Sequence, residues 1–168
     1  AKSFRDLVAK WAGLVGDPRD AFNCLQAIVY QRLVRKVCEN CRVGYIPSED
    51  LAKQGLPIKE VEQLYRAGGQ LQVKNKVLEC PVCKGSGYLG QIGVFETMFL
   101  NKEIRKQLIA GDLKGALSVA RRERLLVRLQ DAGWAKVAEG ITTLEEFGRV
   151  SKSGKSKKTN KKPAGTKK

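Results

Sequence analysis

Two Cys-x-x-Cys pairs constrain this chain more than any other feature of its sequence. The pairs are Cys38/Cys41 and Cys80/Cys83, they contain four of the five cysteines, and 38 residues lie between them. Four thiolates held in two such turns suit a tetrahedral structural Zn²⁺ ion, with Zn–S bonds of about 2.3 Å. The protein fills such a shell, so the ion would stabilise structure and leave no position for a substrate. We therefore predict a structural zinc site, although four thiolates also suit iron.

The residues that flank the pairs favour a metal site over disulfides. Gly85-Ser86-Gly87 follows the second pair, and glycines there allow the chain to curl so that backbone N–H groups point at the sulfurs. Arg42-Val43-Gly44 is a looser version after the first pair. Lys36, Arg42 and Lys84 lie beside the ligands and could offset the negative charge of a zinc–thiolate centre. Disulfides are typical of secreted chains, and no signal peptide is visible.

Composition limits the possible architectures. The 168 residues are 42% hydrophobic, which allows one globular domain with a modest core, and no segment approaches the roughly 20 apolar residues of a membrane span. The formal net charge is +15, and residues 151–168 contribute eight lysines and no acid to it. This tail cannot offset its ordering entropy by burial, so we expect it to be disordered and to attract polyanions at most non-specifically. Its Gly154-Lys155-Ser156 is not a phosphate-binding loop, because Arg149 stands where the motif needs glycine.

Hydrophobic periodicity predicts a mixed α/β chain. Ser3 caps a first helix whose apolar face runs from Phe4 to Leu14, and Asp17-Pro18 opens a second. The second helix is expected to bury Phe22, Leu25, Ala27 and Ile28, with Cys24 as a small core residue. Residues 31–37 then alternate as a strand that leads into the first cysteine pair.

Further elements are predicted between and after the cysteine pairs. Between the pairs we expect short helices at 48–55 and 57–65 and one strand at 71–78. After them we expect a strand at 90–98 and helices at 102–110, 113–122 and 126–139. Asn101 and Asp112 cap the first two of these helices, and Thr143-Leu144-Glu145-Glu146 is a capping box that opens a last helix.

Four segments in a fixed order resemble the C-terminal portion of the type II secretion and type IV pilus assembly ATPases. The segments are residues 31–38, 80–88, 90–96 and 140–146, and the resemblance covers nearly all of residues 15–150. One position and one segment depart from the family pattern. Gln91 stands where the family usually has arginine, and residues 126–129 read Leu-Val-Arg-Leu instead of Met-Arg-Thr-Leu.

The resemblance implies a fold, a function and a set of partners. Members of this family are hexameric cytoplasmic motors, peripheral at the bacterial inner membrane, that use ATP and Mg²⁺ and act on an inner-membrane platform protein to drive pilin assembly or export. Assembly-type members carry a tetracysteine zinc subdomain that interrupts a RecA-like domain. By this resemblance, residues 1–37 end the RecA-like core, 38–83 form the zinc subdomain, 84–150 hold the returning strand and C-terminal helices, and 151–168 are the disordered tail.

The same resemblance assigns the family's catalytic motifs to sequence upstream of this chain. No catalytic or nucleotide-binding residue is therefore carried over to it, and we expect the chain alone to be inactive as an ATPase. The four cysteines alone are carried over, as zinc ligands. The resemblance does not distinguish secretion from pilus assembly or DNA uptake.

Two alternatives come from other functional classes. The first is a zinc-ribbon module for nucleic acid, an interpretation that rests on the +15 charge. Such a module requires exposed aromatic residues among the basic ones, and aromatic residues are only 7% of the chain. The second is a zinc domain of the J-protein chaperones, which needs four Cys-x-x-Cys-x-Gly-x-Gly repeats where this chain has one complete and one partial repeat. The ordered segments favour the secretion family over both.

Overall fold

The computed structural model describes residues 1–48, 51 and 61–152, and it confirms the mixed α/β class. The helices are α1 (Phe4–Val15), α2 (Pro18–Asn23), α3 (Lys102–Ile109), α4 (Leu113–Arg122), α5 (Leu129–Ala138) and α6 (Leu144–Lys152). The strands are β1 (Ala27–Val37), β2 (Val43–Tyr45), β3 (Leu64–Arg66), β4 (Gln70–Val73), β5 (Lys76–Glu79), β6 (Tyr88–Phe99) and β7 (Leu126–Val127). In the described part of the chain, no helix has both the length and the apolar character that crossing a bilayer requires.

The main sheet is built on the antiparallel pair β1 and β6. Their register runs from Ala27↔Phe99 to Val37↔Tyr88, with an irregularity between Arg35 and Val37, and β7 adds a short third strand along β6. The chain thus leaves the sheet at Val37 and returns to it at Tyr88. The cysteine-rich segment is an insertion between two strands that are hydrogen-bonded to each other.

The helices pack on one face of this sheet. Alternate strand residues point to that face and are buried: Ile28, Tyr30, Val34, Val94 and Met98. They join two apolar clusters. The first lies against α1 to α4 and includes Phe4, Phe22, Ile104 and Ala120, and the second lies nearer the cysteines and includes Leu64, Val137 and Phe147.

The opposite face of the sheet carries apolar side chains without cover from the described residues. Val29, Leu33, Phe95 and Phe99 point outward and are between 46% and 55% exposed. The second edge of β1 likewise carries no strand in the described part of the chain.

Helix starts follow the sequence prediction. Each predicted capping side chain accepts a backbone N–H of the first turn, in the pairs Ser3–Asp6, Asp17–Arg19, Asn101–Ile104 and Asp112–Gly115. These signals are local, because the donor lies two or three residues from the acceptor.

The prediction for the second helix was wrong at its end. The helix α2 ends at Asn23, and Ala27 and Ile28 already pair with β6 as the first residues of β1. Cys24 is exposed instead of buried in the core, and its thiol donates to the carbonyl of Asp20 at 3.3 Å. Leu14, expected on a buried face, is 83% exposed because its helix extends beyond the core.

Other differences concern the insertion and the later elements. The predicted strand 71–78 is a hairpin of β4 and β5, turned at Lys74 with φ +53°. Leu64 and Tyr65, expected at the end of a helix, belong to β3, and the rest of the helices predicted at 48–55 and 57–65 lies mostly outside the described residues. Leu126 and Val127 form β7, because they pair with Thr97 and Met98, and α5 starts after them.

The C-terminal helix takes two residues that were assigned to the tail. Ser151 and Lys152 extend α6. The remainder of the predicted disordered tail, residues 153–168, lies outside the described residues.

Candidate metal centre

Four cysteine side chains meet where the insertion joins the main sheet. The sulfurs of Cys38, Cys41, Cys80 and Cys83 all lie within 4.8 Å of one another, and all four residues are buried. The Sγ atoms of Cys41 and Cys83 are 3.6 Å apart. Disulfide sulfurs are about 2.05 Å apart, whereas tetrahedral Zn–S bonds of about 2.3 Å place neighbouring sulfurs about 3.8 Å apart. The arrangement therefore fits a tetrahedral metal ion.

Each cysteine pair is shaped by its own backbone. In the first pair, the N–H groups of Cys41 and Arg42 donate to the carbonyl of Cys38 at 3.3 and 2.9 Å. In the second pair, the N–H of Gly87 donates to Cys83 Sγ at 3.3 Å. Gly87 has φ +73°, a conformation that residues with a Cβ avoid. The role predicted for the glycines after the second pair is thus confirmed at Gly87.

Two further donors to sulfur come from outside the paired motifs. The N–H of Gly69 donates to Cys41 Sγ at 3.2 Å, and the side-chain amide of Asn40 donates to Cys80 Sγ at 3.3 Å. Neither donor is predicted from the sequence. The Gly68-Gly69 dipeptide marks a turn in the sequence, but nothing in it indicates a contact with Cys41. Asn40 lies inside its Cys-x-x-Cys motif, but nothing local indicates which sulfur it reaches.

The surroundings of the sulfurs differ electrostatically. Burial raises the pKa of Cys41 to about 12. The hydrogen bond from Asn40 lowers the pKa of Cys80 to about 6. A bound cation favours the thiolate at every ligand, so metal binding and deprotonation are linked at this centre.

The basic side chains beside the ligands make no hydrogen bond to the sulfurs among the described residues, and Arg42 makes other contacts. Its guanidinium lies 4.0 Å from the ring centre of Tyr65 and donates to the carbonyl of Gly140 at 3.2 Å. Lys36 and Lys84 are exposed. In the described part of the chain, the hydrogen-bond donors to the sulfurs from outside the cysteines are Gly69, Gly87 and Asn40.

A C-terminal segment, residues 140–146, binds the strands next to the centre. The N–H of Val37 donates to the carbonyl of Ile141 at 2.9 Å, and the hydroxyl of Thr142 donates to the carbonyl of Arg35 at 2.8 Å. The hydroxyls of Tyr88 and Thr143 share a hydrogen bond of 3.0 Å. The end of β1 is therefore fixed from one side by the cysteines and from the other by this segment.

A buried carboxylate completes this attachment. Glu146 is 1% exposed and accepts from the backbone and guanidinium of Arg35 at 2.6 to 3.1 Å, and from Arg149 at 2.6 and 3.0 Å. Hydrogen bonds from Arg149 and Arg35 lower its pKa to about 2. Thr143 accepts the N–H of Glu146 at 3.1 Å as the capping box predicts, but the carboxylate pairs with the two arginines.

Comparison with known proteins decides the family. The family described as Type II/IV secretion system protein matches residues 2–149. The chain belongs to this family. The family resemblance inferred from four ordered segments is thereby confirmed, and neither the zinc-ribbon nor the chaperone alternative predicts a match of this extent.

Individual members of the Type II/IV secretion family show the same relationship. The type IV pilus assembly ATPase PilB of Thermus thermophilus is 33% identical over 133 residues, which are 77% of this chain and 14% of that protein. The type II secretion system protein E of Dickeya dadantii is 35% identical over 132 residues, 76% of this chain and 23% of that protein. The type II secretion system ATPase E of Vibrio cholerae is 32% identical over 130 residues, 76% of this chain and 24% of that protein. The chain thus spans at most a quarter of the length of these relatives.

Proposed function

We propose that this chain is the C-terminal, zinc-binding part of a secretion or pilus assembly ATPase. The observation that carries the proposal is the convergence of four buried cysteine sulfurs within a chain that matches the family over residues 2–149. The parent would be a cytoplasmic hexamer at the bacterial inner membrane. It would hydrolyse ATP with Mg²⁺ at residues outside this chain and act on a membrane platform protein during pilin assembly or export. This chain would have a structural, zinc-binding role within the parent.

The strand pairing supports the proposed domain division. Cys38 N–H donates to the carbonyl of Gly87 at 2.9 Å, directly beyond the last sheet pair, Val37↔Tyr88. Residues 38–83 would then be a subdomain inserted in a RecA-like core, whose end is residues 1–37 and whose return and C-terminal helices are residues 84–150. Residues 151–168 would be a lysine-rich extension, apart from the two residues that extend α6.

The uncovered sheet face supports a larger RecA-like domain. Four apolar side chains on that face are about half exposed in the described chain, and the long strand β1 has an open edge. Such surfaces promote aggregation unless another element covers them. We propose that the nucleotide-binding portion of the parent covers this face and edge.

Zinc would hold the base of the insertion together. Cys38, Cys41, Cys80 and Cys83 would each supply one thiolate, so that the ion has no open position and cross-links the two ends of the insertion. Gly69, Gly87 and Asn40 would orient the sulfurs and share their negative charge through hydrogen bonds.

Metal analysis of matched cysteine variants tests the proposal. We expect about one zinc per purified chain, retained in Cys24→Ala and lost in Cys80→Ala. Cys24 is a suitable control because it is exposed and lies outside the cluster. Titration of each metal-free variant with Zn²⁺ shows whether it can still bind the ion. This distinguishes the loss of a cysteine ligand from a loss of metal during purification. Equal metal content in both variants, or iron in place of zinc, would contradict the assignment.

A further inference from the structure

A second site is suggested by a cavity that borders the first apolar cluster. It has a volume of about 460 Å³ and lies between the starts of α1 and α5, the strands β1, β6 and β7, and the C-terminal ends of α4 and α6. Its apolar lining includes the buried side chains of Phe4, Tyr30 and Leu117. Small-molecule sites have volumes of about 300–1,000 Å³ and combine apolar walls with a few polar groups.

The charged residues around this cavity are strongly unbalanced. Its cationic lining residues are Lys2, Arg5, Arg32, Arg121 and Arg128, and we refer to it as the arginine-lined cavity. Glu96 is the single acidic residue that lines it among the described residues. A concave surface with an excess of one charge concentrates small ions of the opposite charge.

Two of the arginines are fixed by the protein itself. Arg32 donates to the carbonyl of Lys2 at 2.6 Å and lies 5.3 Å from the ring centre of Tyr30. Arg128 makes two hydrogen bonds, of 2.8 and 2.5 Å, to the carboxylate of Asp131. These contacts therefore fix the side chains of Arg32 and Arg128 before a ligand binds.

The other two arginines keep their donors free. Within residues 1–48, 51 and 61–152, neither Arg5 nor Arg121 takes part in an ion pair or a side-chain hydrogen bond. Glu96 is only partly buried and accepts no hydrogen bond from either arginine in the described part of the chain. Burial raises the pKa of Glu96 against the opposing influence of Arg128, Arg121 and Arg5.

We propose that the arginine-lined cavity binds a small organic phosphate of about mononucleotide size. The planar guanidinium groups of Arg5 and Arg121 would hold the phosphate, because their paired N–H donors match two phosphate oxygens. Phe4, Tyr30 and Leu117 would contact the apolar part of the ligand, and Glu96 would accept a hydrogen bond from an N–H or O–H group on it. This site is separate from the cysteines, and ligand binding there does not require the metal.

Calorimetric titration of the full chain with AMP and with inorganic phosphate tests it. Arg121 and Arg122 are adjacent exposed residues at the end of α4, but Arg121 lines the cavity and Arg122 instead pairs with Glu123. We expect Arg121→Glu to weaken AMP binding about tenfold or more and Arg122→Glu to change it less than about twofold. Equal losses in the two variants would show diffuse attraction to a basic surface and would overturn the proposal, as would absence of AMP binding to the unmodified chain.

A third variant moves the affinity in the opposite direction. Glu96→Gln removes the one carboxylate of the described lining, so inorganic phosphate should bind about threefold or more tightly. Unchanged phosphate affinity in this variant would contradict phosphate binding in the arginine-lined cavity.

AMP should bind the unmodified chain more tightly than inorganic phosphate, because the apolar wall of the cavity contributes. Equal affinities would contradict an organic ligand. Circular dichroism of each variant confirms that it is folded, and Arg121→Gln replaces Arg121→Glu if the charge reversal prevents folding.

Discussion

At the residue scale, Gly69 connects the two cysteine pairs of the metal centre. Its φ of +77° suits glycine, and a Cβ there would lie 2.3 Å from the carbonyl oxygen of Gly85. Its N–H donates to Cys41 Sγ, and its carbonyl accepts the N–H of Cys80 at 2.9 Å. One residue thus makes a contact to each cysteine pair.

Replacement of Gly69 by alanine should therefore weaken the centre. Gly90→Ala is the matched control, since Gly90 has a similar φ of +76° but nothing within 4 Å of an added Cβ. The backbone conformation alone costs an added Cβ about 1–2 kcal/mol, so that is the loss expected for Gly90→Ala. Gly69→Ala should lose about 2 kcal/mol more in unfolding free energy, through overlap with Gly85, and should bind Zn²⁺ more weakly. Equal losses with unchanged zinc affinity would contradict this role.

The cysteines could be predicted from the sequence, while their supporting donors could not. The Cys-x-x-Cys motif itself fixes the spacing of the ligands, so the sequence identifies Cys38, Cys41, Cys80 and Cys83 together. Gly69 lies 28 residues from the sulfur it contacts and Asn40 lies 40 residues from its own. Contacts at that separation depend on how the insertion folds back, which periodicity does not encode.

At the element scale, a buried carboxylate joins α6 to β1. Glu146 is held by Arg35, whose guanidinium lies 4.0 Å from the ring centre of Tyr88, and by Arg149. Only the carboxylate is buried, since the side chains of Arg35 and Arg149 are 44% and 61% exposed. Loss of its charge therefore chiefly costs the charge-assisted hydrogen bonds that it accepts.

This pairing predicts a defined pH dependence. The folded pKa of Glu146 is about 2, below the ordinary value of 4.5, so its contribution is complete above about pH 4.5 and is lost as the pH falls towards 2. The shift corresponds to a contribution of about 3 kcal/mol. Glu146→Gln should lower the unfolding free energy at neutral pH by a similar amount, and its difference from the unmodified chain should shrink across this pH range.

Glu145→Gln is the matched control for that experiment. Glu145 is the exposed neighbour of Glu146 on the same helix. The Glu145→Gln variant undergoes the same loss of metal at low pH as the other two proteins. A difference among the three proteins in denaturant unfolding therefore reports the contribution of Glu146. A constant difference between Glu146→Gln and the unmodified chain from pH 5 to pH 2 would contradict the assigned pairing.

Elements were predictable to the extent that their signals are local. The four helix caps were correct because cap and donor are neighbours in sequence. The start of β1 was wrong because Ala27 and Ile28 become strand through pairing with Phe99 and Met98, some seventy residues away. The same reason explains β7, whose two residues continue a helical pattern in sequence but pair with β6.

At the scale of the whole molecule, the metal centre stands at the base of an insertion between two paired strands. A metal ion bound by all four cysteines would close a loop of about 45 residues, which the chain-entropy relation values at about 4 kcal/mol. That stabilisation would act on β1 and β6 as well as on the insertion, because the centre begins one residue after β1 ends.

Hydrogen exchange with and without zinc tests this central claim most directly. Among residues 33, 34, 94 and 95, the amides that are protected in the zinc-bound chain should exchange at least about tenfold faster once zinc is removed. The amides of Ile104 and Leu108 in α3, which belong to the first apolar cluster, provide the internal comparison and should change less. If the protected amides of β1 and β6 exchange at the same rate in both states, the cysteine-rich insertion is an independent appendage, and the metal does not stabilise the strands that carry it.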